Sequence, residues 1–347
     1  MTATVRGAGS EVVGFARRSR ARAVGLLAGA AVTVIAATGS VWLGSRGVSW
    51  SDVWAGLGGA DDTLGQAAVT KRIPRTLLAL LAGGALGVSG AVMQGVTRNP
   101  IADPGILGVN MGASLAIVIG IVHFGLVDPR SYIWVAILGA GVAAVFVYAV
   151  GSLGRGGATP LKLALAGAAT SAALTSFVTA IVLPRNDLAG TFQSWQIGGV
   201  GGATYAKLTT VAPFLAAGLV VSLLSSRGLN TIALGDELAG GLGENVALTR
   251  AIAAAGAVVL CGATTAVCGP LLFVGLVVPH ACRMVVGPDH RWVIPLSALT
   301  GAALVTVSDT FGRLVAKPQE IDVGIITALV GAPVFIYIVR RQRVRAL

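Results

Sequence analysis

Long uncharged apolar stretches alternate with short polar connections along almost the whole chain. Residues 23–45, 76–97, 104–127, 131–154, 163–184 and 208–226 carry no Asp, Glu, Lys or Arg. A further uncharged run, 251–282, covers 32 residues between Arg250 and Arg283, and 292–308 and 323–339 complete the series. A membrane-crossing helix needs about 20 predominantly apolar residues. The run of 32 is too long for one such helix. It contains Cys268-Gly269-Pro270, where proline removes a backbone donor and obstructs the preceding turn. Dividing it there gives 251–268 and 270–286, and the pattern predicts ten spans. Residues 188–206 are also uncharged, but Gln193, Ser194, Gln196 and the run Gly198-Gly199-Val200-Gly201-Gly202 disfavour a helix crossing hydrocarbon. They are expected to form a short interfacial or re-entrant helix after span 5. The predicted class is an all-α, polytopic membrane protein.

Basic clusters test the count. Arg17, Arg18, Arg20 and Arg22 precede span 1, and Arg340, Arg341, Arg343 and Arg345 follow the last span. Both clusters belong on the cytoplasmic side, which requires an even number of spans. Ten spans place 16 of the 25 Lys and Arg residues in the cytoplasm. Joining 251–282 into one span while counting 188–206 also gives ten, and would place 227–250 outside. Residues 1–22 are then a basic cytoplasmic segment, not expected to be cleaved. Residues 23–340 form one transmembrane domain at the cytoplasmic membrane, and 341–347 a cytoplasmic tail.

Composition narrows the chemistry. Charged residues make up 11% and hydrophobic residues 55% of the chain, too few charges to cover a soluble domain. The 49 glycines and 5% aromatic content suit closely packed membrane helices. The net charge of +11 is assigned to orientation in the bilayer and contact with lipid rather than to nucleic acid. Cys261, Cys268 and Cys282 all fall in apolar stretches, without metal-site spacing. None of the four lysines follows a glycine, so no Walker A motif exists. His123, His280 and His290 are scattered and form no HExxH; no metal site, bound cofactor or catalytic constellation is expected. An intramembrane enzyme is therefore disfavoured. An ion-coupled transporter would carry an acid or histidine deep in a span. The span interiors hold almost none by these boundaries, with Asp309 at a span end, so the energy for transport is expected from a partner.

Four segments have a specific pattern. Lys71-Arg72-Ile73-Pro74-Arg75 places basic residues at the outer start of span 2, where the sorting rule does not expect them. They are either snorkelling interfacial residues or a docking point for an acidic partner. In Gln94-Gly95-Val96-Thr97-Arg98-Asn99-Pro100-Ile101-Ala102-Asp103-Pro104-Gly105, after span 2, Asp103 is placed to cap a helix starting at Pro104, in a tight turn near a pathway. In 227–250, Leu234, Leu238 and Leu242 recur every four residues and give one apolar face. Asp236 and Glu237 occupy that helix's first turn. This helix either lies on headgroups or inserts into a groove of a cytoplasmic partner. Finally, Pro270 and Pro279 imply a bent or broken helix before His280.

Taken together, residues 72–114 (RIPRTLLALLAGG…), 229–246 (LNTIALGDELAGG…), 269–290 (GPLLFVGLVVPH…) and 320–341 (EIDVGIITALVGAP…) resemble the FecCD family. The resemblance runs from about residue 70 to the C-terminus. It implies a permease subunit of an ATP-binding-cassette (ABC) importer for iron–siderophores, haem or cobalamin, with ten helices and 227–250 in the cytoplasm. Iron–siderophore is the commonest cargo of the family and is chosen on that ground. A second permease subunit, identical or paralogous, two cytoplasmic ATPases that bind the ATP, and an extracytoplasmic binding protein are the implied partners. By motif, Arg72, Arg75 and Arg313 resemble residues that receive acidic groups of the binding protein. Residues 233–243, with Leu234, Gly235, Asp236, Glu237, Leu238, Ala239, Leu242 and Gly243, resemble the coupling helix between spans 6 and 7. Thr159-Pro160-Leu161 aligns near the family's cytoplasmic gate.

Overall fold

The computed structural model describes residues 5–105, 107–126, 128–153 and 159–343, so Arg345 lies outside the described residues. The described residues form helices and connections without strands. In order the helices are α1 (Val5–Trp42), α2 (Trp50–Leu57), α3 (Leu64–Thr97), α4 (Val109–Phe124), α5 (Pro129–Ser152), α6 (Pro160–Val182) and α7 (Asn186–Ile197). They continue with α8 (Tyr205–Leu224), α9 (Ser226–Ile232), α10 (Asp236–Gly241), α11 (Val246–Cys268), α12 (Val274–Val286), α13 (His290–Val315) and α14 (Val323–Arg343). Helices α1, α3, α5, α6, α8, α11 and α13 are long and apolar enough to cross a bilayer, while α4, α12 and α14 contribute shorter apolar helices.

Helix α3 is the centre of the bundle. In its most apolar stretch 78% of residues are buried, against 17% in α1. It packs along α13, α11 and α12. Small residues permit that approach: a Cβ on Gly90 would overlap the Gly275 carbonyl of α12, and one on Gly83 would overlap the Gly301 carbonyl of α13. Buried polar bonds join α3 to α11 and α4 to α11, as membrane helices use them. The Ser89 hydroxyl donates to the Ala257 carbonyl at 2.7 Å, and Asn110 Oδ1 accepts from the Cys261 thiol at 2.9 Å.

Several element boundaries depart from the sequence pattern: α1 begins at Val5 rather than 23, α10 covers only Asp236–Gly241 rather than 233–243, α12 begins at Val274 rather than 270, and four further departures bear on the site. Helix α3 starts at Leu64, not 76, because Thr63 and Gln66 form a capping box. The basic residues Lys71 to Arg75 are thus inside a helix rather than ahead of it. Helix α4 starts at Val109, not 104. Asp103 caps only a local turn, its Oδ1 accepting from the Gly105 N–H at 2.7 Å, and Gly108 precedes the helix with a left-handed backbone. Helix α13 runs to Val315 rather than 308, so Asp309 is not at a helix end. Helix α2 was not read from the pattern. It carries exposed Trp50 and Trp54, and Trp42 stacks on Trp50 at 5.6 Å between centroids. Aromatic residues grouped in this way suit a membrane interface.

The glycine run after α7 serves as a packing node. Gly198 has φ +84°, and its carbonyl accepts from the Gly324 N–H at 2.9 Å. The Gly199 N–H donates to the Cys268 carbonyl at 2.8 Å, so this run meets the end of α11 and the start of α14.

Candidate functional site

Two polar assemblies lie at opposite ends of α3. The first gathers Arg72 and Arg75 of α3, Asp309 and Arg313 of α13, and Glu320 of the α13–α14 connection. Asp309 is 1% exposed, and Arg313 is equally buried. Arg75 Nη2 and Nε reach Asp309 Oδ1 at 2.8 and 3.0 Å, and Arg75 Nη1 reaches Glu320 at 2.5 Å. Arg313 Nε lies 3.1 Å from Asp309 Oδ2, four residues back on the same helix.

The remaining donors hold the end of α1. Arg72 Nη1 donates to the Trp42 carbonyl at 2.9 Å, and Nη2 to the Arg46 carbonyl at 2.6 Å. Arg313 Nη1 donates to the Ser40 and Leu43 carbonyls, both at 3.1 Å. The last carbonyls of a helix have no partner within it and carry partial negative charge, so two guanidiniums complete α1. Gly44 leaves room for this, since a Cβ there would overlap the Arg72 guanidinium. Arg72 and Arg313 are therefore inside the protein and bonded to its own backbone, not displayed on a surface. Asp309 also corrects the expectation that span interiors lack acids. Arg75 and Arg313 neutralise it.

Glu320 lies outside the helices. Burial alone would raise its carboxyl, but the hydrogen bond and charge of Arg75, with Ser45 and Arg313, outweigh that and hold it below the usual carboxylate range. A lowered folded-state pKa stabilises above the unfolded value and is lost as pH falls through the lowered one. Nearby Asp322 is shifted the other way, raised by burial and by Asp309 and Glu320 despite Arg75. The stability contributed by Glu320 is expected to be lost as pH falls below about 4.3, against an opposite contribution from Asp322. Glu320→Gln should remove that loss in a pH series of melting midpoints. An unchanged pH profile in the variant would contradict the assignment.

The second assembly joins α10 to the bundle. Asp236, at the start of α10, bonds Arg250 of α11 at 2.9 and 3.0 Å and Arg98 at 3.1 Å. Arg98 follows α3 with a left-handed backbone, φ +49°. Gly235 ahead of α10 has φ +113°, a conformation that requires glycine, and Gly243 beyond it has φ +86°. Ala239 is buried against the bundle, while Leu234, Leu238 and Leu242 are 59%, 64% and 69% exposed. The apolar face thus points away from the protein. Glu237 is also exposed.

The neighbouring helix α9 is tied to the α12–α13 turn. Asn230 Nδ2 donates to Asp289 at 2.6 Å, and Asn230 Oδ1 accepts from the His290 N–H at 2.8 Å. Burial would raise the Asp289 carboxyl, but the Asn230 and Arg291 bonds hold it below its ordinary value. Arg283 donates to Gln94 Oε1, and Gln94 Nε2 donates back to the Gly275 carbonyl at 3.1 Å. Sequence reasoning gave no role to Arg98, Arg250, Gln94, Asn230 or Arg283, although Gln94 and Arg98 lie in the 94–105 segment and Asn230 and Arg250 in 227–250. Their partners lie 14 to 189 residues away, so no local spacing marks them.

The expected gate residues are placed as follows. Thr159 caps α6 by accepting from the Lys162 N–H at 3.4 Å, Pro160 is the first helical residue, and Leu161 is exposed. Asn99 Oδ1 accepts from the Ile101 N–H at 3.1 Å, Pro100 lies in the turn after α3, and Asp103 is buried against Gly275. Among the described residues no group of three or more His, Cys, Asp or Glu could hold a metal ion.

Known proteins resemble this chain over most of its length. The chain is 42% identical over 314 residues to the ferric enterobactin transport system permease protein FepD of Escherichia coli (strain K12), covering 89% of this chain and 92% of that protein. It is 40% identical over 312 residues to the probable siderophore transport system permease protein YfiZ of Bacillus subtilis (strain 168), covering 89% and 93%. A solved structure described as an inward-facing conformation of a metal-chelate type ABC transporter superposes with TM-score 0.77 and 26% identity, over 92% of this chain and 99% of that one. The profile of the FecCD transport family matches residues 32–341, and the chain belongs to that family.

Proposed function

We propose that this multi-pass membrane protein is the permease subunit of an ABC importer that carries a ferric siderophore across the cytoplasmic membrane by alternating access. The observation that carries the reading is α10. Leu238 within it and Leu234 and Leu242 flanking it are exposed, yet Asp236 fixes the helix to the ends of α3 and α11. An apolar face held on a rigid base suits a partner that pushes on it, here one of two cytoplasmic ATPases. In this reading α1, α3, α4, α5, α6, α8, α11, α12, α13 and α14 each cross the membrane, and the basic clusters at both ends put the termini and α10 in the cytoplasm. A second permease copy or paralogue completes the pathway. Siderophore is favoured as cargo because the relatives named above are siderophore and enterobactin permeases. Uptake of iron-labelled siderophore, haem and labelled cobalamin by a deletion strain tests the cargo. Loss of siderophore uptake alone is expected, and loss of cobalamin or haem uptake alone would overturn the choice.

The end opposite α10 is the proposed docking face for the binding protein. Arg72, Arg75 and Arg313 act there by shaping the surface, since Arg72 and Arg313 are buried. The side chains available for contact include exposed Arg46, Lys71 and Lys317. Reversing Lys71 and Lys317 to Glu should weaken uptake severalfold with no loss of thermal stability, because exposed charges steer association more than they hold folds. Charge reversal at a matching acid of the binding protein should restore uptake. Unchanged uptake in the double variant would count against this face.

A further inference from the structure

An apolar groove of about 1760 Å³ opens between α5 and α11, with the end of α3 behind it. The two helices touch where Gly262 meets Ile137 and Ala140. From there toward Ala149 of α5 and Val246 of α11 they leave a wedge. Its walls include Val142, Val145 and Phe146 from α5 and Ala251, Ala255 and Val259 from α11. Val142, Val145 and Phe146 are exposed. From Ile137 to Ala149 the wall is about 18 Å long at the helical rise of about 1.5 Å per residue. Half of a hydrocarbon core is about 15 Å. The groove therefore matches one leaflet in length.

Its mouth is charged. Arg98, Asp236 and Arg250 all line it, which leaves one net positive charge. Asp236 occupies Nη1 and Nη2 of Arg250 and one Nη of Arg98. Arg250 Nε is buried and has no acceptor among the described residues. The arginines thus have donors to spare beside a long apolar slot, at the depth where headgroups lie in the orientation proposed above.

We infer that this groove binds one anionic phospholipid of the cytoplasmic leaflet, with its phosphate on Arg98 and Arg250 and its acyl chains between α5 and α11. Basic pockets between helices on the cytoplasmic side are suited to such headgroups. The phosphate competes with Asp236 for the same guanidiniums, so lipid occupancy sets how firmly α10 is held. The inference uses the proposed orientation. Its test does not depend on transport.

The test is native mass spectrometry of the full-length purified chain with added phosphatidylglycerol or phosphatidylcholine. Wild type should retain one phosphatidylglycerol, with roughly tenfold preference over phosphatidylcholine. Arg98→Gln with Arg250→Gln should abolish the preference. Ala255→Trp, which fills the slot and keeps both arginines, should reduce retention of both lipids, and it serves if the double variant fails to fold. Equal retention of the two lipids by wild type, or unchanged phosphatidylglycerol retention in Ala255→Trp, would overturn the site. So would a dimer of this chain that Ala255→Trp disrupts, since a second copy would then occupy the groove. Neither result would bear on siderophore uptake.

Discussion

Replacing Asp309 by alanine is expected to destabilise the protein by about 3–5 kcal/mol. The carboxylate is 1% exposed and lies between two guanidiniums, Arg75 at 2.8 Å and Arg313 at 3.1 Å. Removing it leaves two cations that cannot withdraw to water. Arg313 is also bonded to the last carbonyls of α1, so it cannot rotate away without uncapping that helix. Breaking one partner out of a buried pair costs far more than the pair itself contributes. The check is the melting midpoint of purified protein followed by size-exclusion chromatography. Glu320→Gln provides the scale, since it removes the more exposed half of the network and should cost roughly 0–1 kcal/mol. If Asp309→Ala melts with wild type, the buried network does not hold α1, α3 and α13 together.

The second large effect is functional. Leu238→Asp should leave the fold within about 0.5 kcal/mol of wild type, because the side chain is 64% exposed in the isolated chain. In the assembled importer the same position would be buried against the ATPase, and an uncompensated carboxylate there is costly. A central interface residue is worth roughly 2 kcal/mol or more, which is about 30-fold or more in affinity. Co-purification of the ATPase should therefore be lost, and uptake with it, while the melting midpoint stays in place. Retained ATPase and full uptake would contradict the coupling assignment. Asp236→Ala tests the other half of the lever, with α10 released from Arg98 and Arg250 but its leucines intact.

Much of this arrangement is legible in the chain and some is hidden for a physical reason. Apolar length and the Gly269-Pro270 break mark where α11 ends at Cys268. The four-residue leucine spacing marks the exposed apolar side chains in and around α10, although the helix itself spans only Asp236–Gly241. What cannot be read is a charge inside a helix. Counting charges as boundaries started one span late, after Arg75, and ended another early, before Asp309, because a charged side chain ordinarily marks the water. Here Arg75 and Asp309 neutralise each other across 234 residues of sequence. The local trace of this network is Asp309 and Arg313 at a spacing of four. The same limit explains the arginines expected to meet a partner. Sequence shows cations on an unexpected side of the membrane, but not that Arg72 and Arg313 turn inward to carbonyls at the end of α1. Asp103-Pro104 has the composition of a helix start. Tertiary contact prevails instead: its carboxylate lies against Gly275 of α12, and α4 begins only at Val109.

The central claim is that this chain moves a ferric siderophore with energy supplied by partner ATPases. The most direct measurement reconstitutes the chain with its ATPase and binding protein in sealed vesicles and follows iron-labelled siderophore. Accumulation is expected to require ATP, to survive collapse of the proton and sodium gradients, and to disappear with Leu238→Asp. Accumulation driven by an ion gradient without ATP would contradict the claim.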